Sequence, residues 1–253
     1  DLDYTQSINH NIILNLLYSY FENFHNIELL NVFKDKSYLI NETPNIEING
    51  IHITQDRINS TLEYLSIKEI TKKFTNNFNI LEIGAGSGRT TETLISLFSD
   101  KNKIKYVIVD IPPALYINYL RMKNNYNDKK IYICNDIKDE DNFEKILNDN
   151  DIILMLPHFL NFFKTKVFDI TIAIDCLHEM DKKIIKYYMD KIDIVSKSLY
   201  FKVWNETYLA YSFNNHLKAQ DKKSYFIKDN WKLISQENCV FPSNYIETIY
   251  EIN

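Results

Sequence analysis

The glycines of this chain are concentrated at one point. Only four occur in 253 residues, and three of them, Gly84, Gly86 and Gly88, lie within five residues, with Ala85 between them and Glu82 just before. Glycine permits left-handed backbone conformations and lets a ligand approach the main chain closely. A glycine-rich turn between a strand and a helix is where nucleotide-binding sheets hold their ligand. These five residues are therefore predicted to bind a cofactor.

The spacing of these glycines separates two classes of cofactor. A dinucleotide fingerprint is G-x-G-x-x-G, whereas here the third glycine comes one residue earlier and an acidic residue precedes the first. A nicotinamide dehydrogenase is therefore disfavoured. The form E-x-G-x-G-x-G resembles motif I of the class I S-adenosylmethionine-dependent methyltransferases. That resemblance implies S-adenosylmethionine as cofactor and S-adenosylhomocysteine as its product.

Acidic residues also end the next two β-rich runs. The run "YVIVD" ends at Asp110, and "IYICND" ends at Asp136. An aspartate in the first position can accept hydrogen bonds from both ribose hydroxyls, and Ile111 is expected to contact the cofactor beside it. The resemblance implies adenine contacts for Asp136 and Ile137. Either aspartate alone also suits a helix N-cap or a turn, but acids after three successive runs, counting Glu82, favour a cofactor site.

The stretch "DIPPALYINYLRMKN" resembles a segment of the sugar O-methyltransferase family. That family also carries a Pro-His step like "LPHF" and an "EM" after its fourth strand like "DCLHEM". The resemblance extends from about residue 48 to residue 252. It implies methyl transfer to a hydroxyl of a sugar or nucleotide-sugar. The sequence departs from the family at His178, where a glutamine is expected, so the identity of the base stays open.

The acidic and imidazole groups after "FDITIAID" could activate an acceptor. A hydroxyl is a poor nucleophile while protonated, so the reaction needs a general base or a metal. The candidates are Asp175, His178 and Glu179. We expect His178 to take the proton, as in small-molecule O-methyltransferases that this segment resembles, and Glu179 to orient its ring. Asp175 and His178 could instead form half a metal site, but Glu206 alone follows the fifth strand, so a divalent cation is not favoured.

Two further residues are candidates for contact with the acceptor. His158 follows Pro157 after an apolar run, where it could line an acceptor pocket or begin a helix. Trp204 ends the fifth strand, where an indole could stack on a sugar ring or pack in the core. His216 falls in a segment with a helical pattern over residues 205–220, and a surface position is expected for it.

The order of the elements predicts the fold that positions these residues. From residue 79 onward, short β-rich runs alternate with helical stretches. This alternation predicts an α/β fold with a doubly wound, mostly parallel sheet of the seven-stranded, Rossmann-like class I methyltransferase type. Residues 1–78 are predicted to form a helical N-terminal extension, and residues 79–253 the cofactor-binding core.

Charge and cysteine content limit which partners and which cellular compartment are expected. The net charge of −5 indicates no nucleic-acid or anionic-membrane partner. Three widely spaced cysteines, with no long apolar run and no signal-peptide pattern, indicate a cytoplasmic protein. The chain starts at Asp1 rather than Met, which is expected either of a trimmed form or of one domain of a longer polypeptide. Two alternatives stay open, namely O-methylation of a non-sugar small molecule such as a phenol or hydroxy acid, and a cofactor-binding domain without turnover.

Overall fold

Two units make up the structure, which is a computed structural model. It describes residues 4–34, 44–74, 77–98, 103–135, 140–208 and 216–253. The first unit comprises Asp1–Lys72 and Arg89–Asp100, and the second comprises Lys73–Gly88 and Lys101–Asn253. The domain boundary that the sequence predicts at residue 78 stays a prediction.

The first unit is mainly helical. Its elements are α1 (Tyr4–Phe24), a 3-10 helix (Ile27–Phe33), β1 (Ile46–Ile48), β2 (Ile51–Ile53), α2 (Gln55–Thr71) and α3 (Arg89–Phe98). The two strands form an antiparallel hairpin. The hydroxyl of Thr54 caps α2 by accepting a hydrogen bond from the backbone amide of Arg57 at 3.1 Å. Among the described residues, no helix combines the length and apolar character needed to cross a membrane.

A buried ion pair joins α2 to α3. The carboxylate of Glu63 is only 1% exposed and binds the guanidinium of Arg89 through two nitrogen–oxygen contacts of 2.8 and 3.2 Å. The hydroxyl of Thr90 donates to the same carboxylate at 3.2 Å, and Arg89 also donates to the hydroxyl of Ser60 at 2.8 Å. A two-point geometry with further hydrogen bonds is what makes a buried pair tolerable.

Replacing Glu63 with alanine should lower the free energy of unfolding by about 3–5 kcal/mol, because it leaves the Arg89 charge without its partner. Glu69→Ala is the matched control on the same helix, since Glu69 is exposed and pairs with the exposed Lys72. That control should cost at most about 1 kcal/mol. Urea unfolding monitored by circular dichroism measures both values, and equal losses would contradict the role given to the buried pair.

The second unit is built on an eight-stranded sheet. Its strands are β3 (Asn77–Ile83), β4 (Lys103–Val109), β5 (Ile131–Ile133), β6 (Ile152–Met155), β7 (Ile170–Ile174), β8 (Ser198–Trp204), β11 (Lys232–Asn238) and β12 (Tyr245–Glu251). Their order is β11-β12-β8-β7-β3-β4-β6-β5. In this order, all neighbouring strands between β8 and β5 pair in parallel. Strand β12 pairs antiparallel with both β8 and β11. The predicted α/β fold is confirmed, with one strand more than seven.

The parallel strands create one switch point. Strand β3 lies between β4 and β7 and runs parallel to both. The chain therefore leaves β3 toward β4 on one side and returns on the other side through β7. In open α/β sheets, ligands bind outside the carboxyl ends of the strands at such a point. The glycine-rich loop, Asp110 and Asp175 follow these three strands directly.

Strand β6 separates β4 from β5 in the sheet. The strand beside β4 is β6, formed by the run "DIILML", and β5 lies outside it at the edge of the sheet. The carboxyl end of β5 is thus separated from that of β4 by β6. The predicted adenine contacts, Asp136 and Ile137, lie outside the described residues.

The described residues of the second unit also include three α-helices and a small hairpin. They are α4 (Pro112–Asn125), α5 (Glu140–Asp149), α6 (Lys182–Val195) and the antiparallel strands β9 (Glu206–Tyr208) and β10 (His216–Lys218). Apolar side chains of α5 and α6 share one core with alternate residues of β3, β4, β6 and β8. The prediction of a helix over 205–220 was wrong for the described residues, which form β9 and β10. Thr207 and Leu217 are each buried between two more exposed neighbours, and this alternation is the period of a strand.

Candidate active site

The glycine-rich loop turns sharply after β3. All three of its glycines have positive φ angles, 70° at Gly84, 56° at Gly86 and 80° at Gly88. The amide of Gly84 donates to the carbonyl of Val109 at 2.9 Å, and the amide of Gly88 donates to the carbonyl of Ala85 at 2.9 Å. The loop is thereby fixed to the end of β4 and closed on itself.

Two of the glycines are also required by close neighbours. A β-carbon on Gly84 would lie 2.6 Å from the β-carbon of Cys176, and one on Gly88 would lie 2.3 Å from the side-chain oxygen of Asn118. A β-carbon on Gly86 would meet no atom within 4 Å. The loop is therefore packed at both ends and open in the middle, where a ligand has room to approach the backbone.

Gly84→Ala should destabilise the fold by several kcal/mol, because left-handed strain of about 1–2 kcal/mol adds to overpacking of about 1–3 kcal/mol against Cys176. Gly86→Ala is the matched control, since it introduces the same left-handed strain with no clash. Its loss should be about 1–2 kcal/mol. Thermal unfolding of the two variants checks the difference, and equal destabilisation would count against the close approach of the loop to Cys176.

Asp110 organises the same loop from the end of β4. One carboxylate oxygen accepts from the amide of Gly86 at 2.9 Å, and the other accepts from the amide of Ile111 at 2.7 Å. Each carboxylate oxygen can accept a second hydrogen bond. The side chain of Ile111 is largely exposed next to it. Asp110 thus orders the loop and can still accept hydrogen bonds from two neighbouring hydroxyl groups of a ligand.

Two residues of α4 hold the loop from its other side. The side-chain amide of Asn118 is fully buried and donates to the carbonyl of Gly86 at 2.6 Å. The guanidinium of Arg121 donates to the carbonyl of Ser87 at 2.7 Å. Neither residue was predicted from the sequence. Their spacing of three places them on one face of the helix, but that spacing alone does not predict a contact with the loop.

Glu82 lies inside the sheet. It is 2% exposed, and its carboxylate accepts a hydrogen bond from the hydroxyl of Tyr106 at 2.6 Å. Ala85, next in the predicted cofactor set, is also buried in the loop. Direct contact of these two residues with a cofactor stays a prediction.

His178 lies in a pocket of aromatic and acidic groups. It belongs to a short 3-10 helix (Leu177–Glu179) after β7 and is 3% exposed. Its ring stacks on Trp204 with centroids 5.1 Å apart and an interplanar angle of 22°. Its Nε2 lies 3.4 Å from Oδ1 of Asp175. Burial lowers the pKa of His178, and the Asp175 charge opposes this shift only in part. The imidazole is therefore neutral at neutral pH.

The acid beside this imidazole is Asp175 rather than Glu179. The side chain of Glu179 is exposed, and neither ring nitrogen of His178 has a hydrogen-bond partner in the part of the chain that the structure describes. Unsatisfied buried nitrogens cost free energy, and functional sites are one of the places where such groups are found. The structure thus brings Asp175, His178 and Trp204 together and leaves Glu179 at the surface.

The remaining candidates contact other side chains. His158 is exposed in a 3-10 helix after β6, with its ring 4.2 Å from that of Phe159. Glu206 accepts from His216 at 3.2 Å, so the predicted surface histidine belongs to the β9–β10 hairpin. Within the described ranges, no three His, Cys, Asp or Glu side chains are grouped as a metal site would require.

An apolar cavity of about 260 Å³ opens beside α4. Its walls are formed by α4 and by the ends of β5 and β6, and they include Pro112, Leu115, Tyr116, Tyr119, Cys134 and Leu156. Pro112, which lines this cavity, lies two residues after Asp110 in the sequence. Aromatic and aliphatic walls of this kind accommodate a flat or apolar ring.

The fold has counterparts among solved structures. The small RNA methyltransferase HEN1 superposes with a TM-score of 0.51 at 13% identity, over 77% of this chain and 25% of that one. The methyltransferase domain of bacterial CtHen1-CN superposes with a TM-score of 0.50 at 12% identity, over 75% of this chain and 97% of that domain. The fold is that of the class I methyltransferases. In this methyltransferase fold, the loop, Asp110, Asp175 and His178 all follow strands at the switch point.

The sequence is similar to a known protein over a limited region. O-methyltransferase 3 of Dictyostelium discoideum is 31% identical over 96 residues, which are 37% of this chain and 21% of that protein. The chain therefore spans about a fifth of the length of the relative it matches. No family model matches the sequence.

Proposed function

We propose that the chain is an S-adenosylmethionine-dependent O-methyltransferase acting on a small molecule. The observation that carries this proposal is the glycine-rich loop at the switch point, with the amide of Gly86 held by Asp110 at 2.9 Å. Its spacing fits motif I of class I methyltransferases, and its middle is open to a ligand. The match to an O-methyltransferase over 96 residues supports oxygen as the methyl acceptor.

The cofactor would occupy the carboxyl ends of β3 and β4. Asp110 would accept from the ribose hydroxyls with its remaining lone pairs. The adenine ring would enter the apolar cavity beside Leu115 and Tyr116. Contacts from Asp136 and Ile137 stay predictions, because those residues lie outside the described ranges.

His178 would act as the general base. Bound S-adenosylmethionine supplies an electrophilic methyl group on a sulfonium. His178 would accept the proton that the acceptor hydroxyl loses when its oxygen takes the methyl group. Asp175, 3.4 Å away, then stabilises the imidazolium. Because burial keeps the ring neutral at neutral pH, the base is ready before the acceptor arrives.

The acceptor is proposed to be a sugar or nucleotide-sugar. Support comes from the resemblance to sugar O-methyltransferases and from Trp204, which is 39% exposed beside His178. A partly exposed indole offers an apolar surface for one face of a sugar ring. His158, exposed after β6, is proposed as a second acceptor contact.

A mass-spectrometric assay tests this proposal. The chain is incubated with S-adenosylmethionine and a panel of nucleotide-sugars, free sugars, phenols and hydroxy acids, with and without EDTA. We expect one methyl group to be added to a sugar-containing member in both conditions. Methylation of a phenol or hydroxy acid alone would replace the sugar assignment, and loss with EDTA would require a metal. Cofactor binding without any product would leave the non-catalytic alternative.

A further inference from the structure

Tyr245 is distant in sequence from the candidate base His178 but contacts Asp175, the acid beside it. The hydroxyl of Tyr245, the first residue of β12, donates a hydrogen bond to Oδ1 of Asp175. The same oxygen lies 3.4 Å from Nε2 of His178. One carboxylate oxygen therefore lies between a hydroxyl donor and the imidazole.

Asp175 needs such a partner to stay in place. Its φ angle of 56° is unfavourable for a residue with a side chain, and its carboxylate side chain is 46% exposed. Its backbone amide is fixed by a 2.9 Å bond to the carbonyl of Lys202. The side chain itself is free to adopt other rotamers toward solvent unless a hydrogen bond selects one.

Tyr245 is itself rigidly held. It is 9% exposed and pairs with Trp204 across β8 and β12. Its ring meets those of His178 and Trp204 edge-on, with centroids 5.9 and 6.1 Å apart. The ammonium of Lys202 lies 5.8 Å from its ring centroid. Burial, together with the hydrogen bond to Asp175, raises the pKa of Tyr245, so its hydroxyl remains a donor.

We propose that Tyr245 is a positioning residue for methyl transfer, which holds the Asp175 carboxylate beside His178. The proton of the acceptor hydroxyl passes to His178, and Tyr245 keeps its own proton throughout. The resulting imidazolium then has a fixed negative charge next to it. This inference rests on the proposed function. Among the described residues, the titratable and charged groups near the pair include Tyr245, Lys202, Glu179 and Cys176, with Asp110 and Glu82 acting on Cys176.

Steady-state kinetics of Tyr245→Phe test the inference first. This variant keeps the ring and removes the hydroxyl, so kcat should fall roughly 10-fold, as for a lost hydrogen bond to a charged group, with little change in the KM for the acceptor. Tyr200→Phe is the matched control, because the hydroxyl of Tyr200 donates to Glu247 at 2.8 Å on the same strand pair. The control should retain the parent kcat. An unchanged kcat in Tyr245→Phe, or an equal loss in both variants, would overturn the inference.

A double-mutant cycle tests the route through Asp175. If Tyr245 acts only by holding that carboxylate, Tyr245→Phe should cause no further loss of kcat in an Asp175→Asn background. Independent losses that multiply would overturn the positioning role.

A titration of His178 separates this inference from the proposed function, because it needs no acceptor. The ring-proton resonance of His178, assigned by its absence in His178→Ala, is followed against pH by NMR in the parent and in Tyr245→Phe. Release of the Asp175 carboxylate should lower the pKa of His178 further. An unchanged or raised pKa would mean that Asp175 stays in place without Tyr245, and would overturn the inference. A parent chain without methyl transfer would instead defeat the proposed function while leaving this result standing.

Discussion

His178→Ala should lower turnover by roughly 100-fold or more while the affinity for S-adenosylhomocysteine stays near that of the parent. A lost general base has an effect of about this size, and the loop and Asp110 that would bind the cofactor are untouched. His216→Ala is the matched control, since that ring pairs with Glu206 on the β9–β10 hairpin. It should retain the parent rate. Initial rates at saturating cofactor measure both variants.

The pH dependence of the rate is a second test of His178 as the base. Only the neutral imidazole accepts a proton, so the rate should rise as pH increases through the pKa of His178. Because burial lowers that pKa, this rise should be complete at a more acidic pH than for an exposed histidine. Near-normal turnover in His178→Ala would move the base to Asp175 or Glu179. The rate of Glu179→Gln then decides between these two acids, because only a base at position 179 would be lost in that variant. The side chain of Glu179 is exposed.

Asp110→Ala should weaken binding of S-adenosylhomocysteine by roughly 100-fold. The substitution removes the acceptor for two ribose hydroxyls and the contact that fixes the amide of Gly86. Hydrogen bonds to a charged group contribute about 1.5–3 kcal/mol each, so the loss of even one such bond is about 10-fold or more. Isothermal titration calorimetry measures the change.

Asp221→Ala controls for the loss of a carboxylate that accepts from a backbone amide. Asp221 accepts from the amide of Lys223 at 3.0 Å in an exposed turn. Its removal should leave the affinity for S-adenosylhomocysteine unchanged. Parent-like affinity in Asp110→Ala would show that the cofactor does not depend on the end of β4.

The sequence predicted the sheet well where the β-rich runs were strongly apolar. The quoted runs "YVIVD", "IYICND" and "FDITIAID" correspond to β4, β5 and β7, and β7 is buried at every residue. Their spatial order was harder to predict, because the position of β6 between β4 and β5 depends on pairing across the sheet rather than on local pattern. The helical reading of 205–220 failed because short strands such as β9 and β10 carry too few residues to show their period of two.

The candidate site was predictable only where its residues follow strands directly. The glycine-rich loop, Asp110 and His178 could be placed in this way. Asn118, Arg121 and Tyr245 could not, because each acts through a contact with a residue at least 30 positions away. Tyr245 reaches Asp175 only because β12 returns beside β8. Such contacts follow from tertiary structure and have no local signature.

Thermal unfolding of the unmodified chain tests the cofactor assignment most directly. A ligand that binds only the folded state stabilises it by about 2.7 kcal/mol at a concentration of 100 times its Kd. S-adenosylhomocysteine should therefore raise the melting temperature in a concentration-dependent manner, and NAD should leave it unchanged. Equal stabilisation by NAD, or no response to S-adenosylhomocysteine, would contradict the assignment of the glycine-rich loop to S-adenosylmethionine.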